Sequence, residues 1–278
     1  MIQRRTYREK SSILYSPIVE EQKNIKYTED REFLQLLDHH KQSFSGWDFS
    51  FISDTGRVAS EPLDWSYASK ALALMHASKA MLDMGTGGGE FLSQLRPFPE
   101  IICATEAYAP NVPIAKQRLE PLGVRVMAIH DDDSLPFDDA GFDLVLNKHE
   151  SFSPAEVHRI LRSGGTFLTQ QAGGLDCAGL NARLGAPDYV YADWTLPQAI
   201  AGLKSNGFEI VEQREQFPIQ RFYDIGAIVY YLKVIEWPIA DFQPEKHIEQ
   251  LYSLYLDIKR DGYWDVKQHR FLIHARAI

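Results

Sequence analysis

Glycines stand at positions 85, 87 and 89, and an acid, Asp83, precedes them. Glycine lets a chain turn sharply and lets a ligand approach the backbone without Cβ clashes. The apolar run 80–84 enters the turn and a helical run, 90–95, leaves it, so free N–H groups at the helix start face the same place. A dinucleotide fingerprint requires its third glycine at position 90, where Glu90 stands, and a pyrophosphate there would meet a carboxylate. An acid beside the turn suits a cationic or zwitterionic ligand better. Glu106 follows twenty-one positions after Gly85, at the end of the next strand, where a carboxylate accepts hydrogen bonds from ribose hydroxyls. Asp131, Asp132 and Asp133 follow the third strand. An acid there accepts from the exocyclic amine of an adenine laid across the strand ends; such a cluster also reads as a solvated loop.

These groups need a scaffold that brings strand ends together. Short apolar runs at 80–84, 101–105, 124–129, 142–147, 166–170 and 208–213 read as strands, with a last one at 271–277. Helical segments at 90–95, 110–119, 154–161 and 196–205 alternate with them, with Ser153 a predicted N-cap and Gly164 and Gly165 a predicted stop. This alternation argues an α/β fold: a parallel sheet with helices on both faces and ligands at the carboxyl ends of its strands. Helical spacing also appears from Asp30 and over 63–77, and 45–57 reads as a loop carrying Trp47, Phe49 and Phe51. Segments 172–193 and 216–264 are too long for simple connections. Within the second, 222–237 has helical spacing, with Asp224 a predicted N-cap and Tyr223, Tyr230, Tyr231 and Trp237 as aromatic lining for a pocket or for packing.

Composition excludes several classes. The 278 residues suffice for one large domain or a domain with an accessory part. A net charge of −9 disfavours, without forbidding, binding to long nucleic acid, although Arg4, Arg5, Arg8 and Lys10 make the N-terminal stretch basic. Cys103 and Cys177 support neither a disulfide framework nor a four-cysteine zinc site, so reduced thiols in a cytoplasm are expected, with no metal. The N-terminal stretch is polar and does not read as a signal peptide, and no apolar run is long enough for a membrane span.

Taken in order, Asp83, the glycine turn, Glu106, the acids 131–133 and the helix and glycine turn over 155–165 resemble a class I S-adenosylmethionine-dependent methyltransferase. The resemblance covers about 78–215 plus the last strand. It implies a Rossmann-like three-layer sandwich with a seven-stranded, mostly parallel sheet whose last strand is antiparallel. Residues 1–77 would form an N-terminal helical cap, and 78–278 the methyltransferase domain with insertions 172–193 and 216–264. The implied cofactor is S-adenosylmethionine, leaving as S-adenosylhomocysteine. Gly85, Thr86, Gly87 and Gly89 would cradle it and Asp83 would order the turn. Glu106 would bind the ribose, Asp131 or Asp132 the adenine amine, and Asn147 would also contact the cofactor.

The acceptor is expected at the end of the 142–147 strand. The sequence there, Asn147, Lys148, His149, Glu150 and Ser151, departs from the Asn/Asp-Pro-Pro-Tyr/Phe motif of enzymes methylating bases or glutamine. His149 is the leading candidate for a general base or an acceptor-orienting group, because imidazole titrates near working pH. Glu150 and Asn147 come second. Gln170 and Gln171 are candidate acceptor contacts, Trp65 and Tyr67 candidate lid residues, and His130 falls nearer the adenine. The leading function is methylation of a small molecule at an oxygen or nitrogen. RNA methylation, a non-catalytic cofactor-binding regulator and an NAD-dependent oxidoreductase are the alternatives.

Overall fold

A computed structural model describes residues 27–187, 189–235 and 238–278. The basic arm with Arg4, Arg5, Arg8 and Lys10 lies outside the described residues, as does Trp237. In chain order, α1 (Arg31–Leu37), the single turn α2 (Ser50–Ser53), β1 (Val58–Ser60) and α3 (Tyr67–His76) come first. The alternation follows as β2 (Ala80–Met84), α4 (Glu90–Gln94), β3 (Ile101–Glu106), α5 (Asn111–Leu119), β4 (Arg125–Ala128), β5 (Phe142–Lys148), α6 (Pro154–Ile160) and β6 (Leu161–Ala172). After it come α7 (Ala178–Leu184), α8 (Leu196–Ser205), β7 (Phe208–Gln216), β8 (Ile219–Phe222), α9 (Ile225–Val234), α10 (Ile248–Asp261), β9 (Trp264–Lys267) and β10 (Arg270–Ala277).

The main sheet has seven strands in the order β4-β3-β2-β5-β6-β10-β7. β2, β3, β4, β5 and β6 pair in parallel, whereas β10 runs antiparallel to both β6 and β7. This is the expected Rossmann-like sandwich with an antiparallel last strand. β2 is buried along its whole length, as a strand covered by helices on both faces must be. Chain order reverses at β2, with β3 on one side and β5 on the other, so their carboxyl ends form the crevice where such sheets bind ligands. Gly164 and Gly165 do not follow the helix directly. α6 already ends at Ile160, and the glycines lie within β6, where pairing with β5 is irregular. Ser153 holds the N-cap position of α6 without making a side-chain cap bond.

The N-terminal elements and both long insertions meet in a second core. Phe33 and Leu37 of α1, Ile52 of α2, Leu180 and Leu184 of α7, Ile228 and Leu232 of α9 and Leu254 and Ile258 of α10 pack into one apolar cluster. Burying each such side chain contributes about 1.5–3 kcal/mol. Asp224 caps α9, its carboxylate accepting from the N–H of Ala227 at 2.9 Å, and also holds the Arg57 guanidinium by two hydrogen bonds. A small antiparallel sheet, β1-β8-β9, knits the N-terminal strand to both flanks of the later insertion. Periodicity did not reveal this sheet: its strands are only three or four residues long. Among the described residues no helix is long and apolar enough to cross a membrane.

Candidate functional site

The glycine turn bends at the end of β2. Gly85 and Gly87 have φ of 63° and 62°, a region that L side chains rarely adopt. A Cβ at Gly85 would run into the Glu150 side chain, so a carboxylate from the end of β5 lies directly over the turn. Arg118 of α5 ties the turn from behind, donating to the Gly88 carbonyl and pairing with Glu90. The N-terminal loop covers the turn: the Gly46 N–H donates to Asn111 Oδ1 at 3.1 Å, and a Cβ at Gly87 would lie 3.4 Å from that of Trp47.

Four carboxylates converge here. Asp83 is buried at the end of β2, and burial pushes its pKa up to about 7, with Thr86 and Lys148 pulling the other way. Glu106 ends β3 almost fully buried. Burial raises its pKa, while the N–H groups of Tyr108 (2.7 Å), Gly87 and Ala107 hold it down. Asp132 accepts from the Ser151 hydroxyl and is raised by burial and by its acidic neighbours. Burial pushes Glu150 up to about 7, and Asp132 and Glu106 add repulsion. Asp131 turns inward on its own loop, accepting from the N–H groups of Asp133 and Ser134 at 3.1 Å. Ala107, His130, Asp131, Asp132, Glu150 and Ser151 line an open cleft of about 430 Å³.

Residues 82–169 match the family described as methyltransferase domain. This segment is similar to methyltransferase domains. Over 117 residues it is 32% identical to a demethylmenaquinone methyltransferase of Thermus thermophilus, a match covering 38% of this chain and 53% of that protein. The chain thus spans about half the length of the curated relative it matches. The fold is shared with a candidate methyltransferase from Bacillus halodurans C-125, at TM-score 0.55 and 18% identity over 76% of this chain and 99% of that one. A functionally unknown protein from Deinococcus radiodurans R1 shares it at TM-score 0.52 and 13% identity, over 91% of this chain and 100% of that one.

The groups at these strand ends suit a cationic ligand. The Thr86 hydroxyl is buried beside the turn, close to the Asp83 carboxylate whose pKa it lowers. The carboxylates of Asp83, Glu106, Asp132 and Glu150 repel one another, and a cationic ligand relieves that repulsion. Gly85, Thr86, Gly87, Gly89, Glu106, Asp132 and Glu150 come together at these strand ends.

Asn147 lies under the site rather than in it. It is fully buried, Oδ1 accepting from Thr169 Oγ1 at 2.9 Å and Gln171 Nε2 at 2.7 Å, Nδ2 donating to the Ser151 carbonyl at 3.3 Å. The pairing follows from register, since Asn147 of β5 faces Thr169 of β6. Gln171 also donates to the Glu150 carbonyl at 2.9 Å, bracing the turn 147–151. Trp65 and Tyr67 form no lid. Both are buried, and Tyr67 donates to the Asn147 carbonyl at 3.1 Å. Trp47 is the residue lying on the turn.

His149 follows β5 with φ of 63°, an uncommon conformation outside glycine. The Trp65 indole N–H, which can only donate, bonds Gln170 Oε1 at 2.8 Å. Gln170 therefore turns its amide nitrogen to His149 Nε2, 3.2 Å away, and that ring nitrogen must accept. Burial, then Arg270 and Lys148, hold the His149 pKa well below its usual value. The imidazole is neutral, with its proton on Nδ1.

The turn 148–151 separates two spaces. Glu150 and Ser151 face the cleft described above, whereas Lys148 and His149 face a cavity of about 340 Å³ between the two cores. Trp47, Phe49, Ile52, Val58, Tyr231 and Ile235 supply its apolar wall, with Asp176 and Arg270 at the sheet side. Lys148 had appeared in the sequence without a role. Asp176 and Arg270, far apart in sequence and in no motif, carried no signal at all.

Proposed function

We propose that the protein transfers a methyl group from S-adenosylmethionine to a small-molecule acceptor, at an oxygen or nitrogen atom. The observation that carries this reading is the turn 148–151, which sets an acid-lined cleft beside the glycine turn on one side and a small, mostly apolar cavity on the other. When bound, S-adenosylmethionine supplies a methyl already activated on a sulfonium, so the chain chiefly supplies proximity and alignment.

Glu106 holds the ribose hydroxyls, Asp132 the adenine amine, and Thr86 and the turn glycines the methionine end. Asp83 and Glu150 supply negative charge next to the sulfonium. Asn147, with Gln171, positions the turn that carries Lys148, His149 and Glu150. His149 orients the acceptor as a hydrogen-bond donor through Nδ1, because its Nε2 is already engaged and its basicity is low. Residues 78–278 form the methyltransferase domain with insertions 172–193 and 216–264, and 1–77 its cap. A small acceptor accords with the name of the Thermus relative, whose acceptor is demethylmenaquinone. The cytoplasm fits two buried, free cysteines.

The test is incubation of the chain with methyl-labelled S-adenosylmethionine and, in parallel, total RNA and a small-molecule extract. Label entering the extract alone supports the reading. Label entering RNA alone establishes RNA methylation instead, and binding without transfer to either establishes a cofactor-binding regulator.

A further inference from the structure

The wall of the cavity between the cores includes a cation that does not line the acid-lined cleft. Lys148 lines it from the end of β5, its ammonium 4.7 Å from the centre of the Phe91 ring. Among the described residues it has neither an ion pair nor a hydrogen bond. Burial lowers its pKa, Asp83 raises it and Arg270 lowers it again. Arg270, the other cation on the wall, is paired with Asp176, which also accepts from the His269 N–H at 3.0 Å. Burial keeps the Tyr231 phenol protonated, and His149 is neutral. Lys148 is thus the cation on this wall with no carboxylate within ion-pair distance, Asp83 acting on it from farther off, and the wall around it is Trp47, Phe49, Ile52, Val58 and Ile235. A partly buried charge with no close counter-ion is costly, and an anion from a ligand lowers that cost.

We propose that the acceptor is a small molecule with an apolar body and an anionic oxygen, a carboxylate or an ionised hydroxyl, that pairs with Lys148. The apolar body occupies the wall of Trp47, Phe49, Ile52 and Val58, and the oxygen faces the strand end where the methyl is delivered. This rests on the methyltransferase reading, whose turn 148–151 divides the two spaces.

The test is calorimetric titration of the full chain, with and without saturating S-adenosylhomocysteine, using 2-naphthoate and its neutral methyl ester. The acid is expected to bind at least tenfold more tightly than the ester, a charge-assisted pair being the difference. Lys148→Gln is expected to bring the acid down to the affinity of the ester and leave the ester unchanged, and Lys148→Arg to restore part of the preference. Equal affinities in the unaltered chain, binding of neither probe, or a preference surviving Lys148→Gln overturns the proposal. So does a Lys148→Gln chain that loses S-adenosylhomocysteine affinity but keeps the naphthoate preference, which places Lys148 on the cofactor carboxylate. Absence of S-adenosylhomocysteine binding to the unaltered chain defeats the cofactor reading instead, and the naphthoate comparison is then decided by the titrations without it.

Discussion

Asp83 and Glu150 both titrate near pH 7 because burial disfavours their charged forms, and Glu150 also feels Asp132 and Glu106. A cationic ligand reverses that preference, since opposite charge favours the carboxylate. Below about pH 7 each group must therefore lose a proton on binding, and above it neither does. Affinity for S-adenosylmethionine is expected to fall from pH 7.5 to pH 6 by about eightfold for each group, up to about seventyfold for the two together, with protons released at the lower pH. The stability of the ligand-free chain moves oppositely. These acids are raised above their unfolded values, so their contribution is greatest at low pH and is lost as pH rises through about 7. Calorimetry in buffers of different ionisation enthalpy measures the proton release; affinity independent of pH over this range contradicts the assignment of both carboxylates to the cofactor side.

At the level of elements, the strand end 147–151 is held by what lies beneath it. Asn147 Oδ1 receives donors from Thr169 and Gln171, both buried in β6. Asn147→Ala leaves these donors without their acceptor, at a cost of about 1–3 kcal/mol in stability. Because Gln171 also holds the Glu150 carbonyl, the turn shifts and the acceptor KM is expected to rise more than the affinity for S-adenosylhomocysteine falls. Thermal unfolding and steady-state kinetics check this; unchanged stability and KM contradict the brace. The sequence marked Asn147 as a site residue because of its place at a strand end. It could not show that the side chain points into a polar layer between β5 and β6, since that depends on a cross-strand register of 147 with 169.

Across the whole molecule, the part legible in sequence was the alternating core. Its strands are apolar runs bounded by glycine turns, and the acids that matter follow directly from strand ends such as Glu106 and Asp132. The second core was not legible, because its members come from 33–52, 177–184, 222–258 and Val266, and only tertiary packing brings them together. The cavity at the junction inherits that opacity: Trp47 and Ile52, Asp176, and Arg270 meet there from three separate stretches. In the proposed function, Glu106 and the glycine turn receive S-adenosylmethionine at the crevice of the sheet. Calorimetric titration of the full chain and its Glu106→Ala variant with S-adenosylmethionine and with NAD tests this most directly. The unaltered chain is expected to bind S-adenosylmethionine and not NAD, and Glu106→Ala to lose about 1–3 kcal/mol of that affinity as the ribose hydroxyls lose a charged acceptor. Binding of NAD alone, or an S-adenosylmethionine affinity untouched by Glu106→Ala, would contradict it.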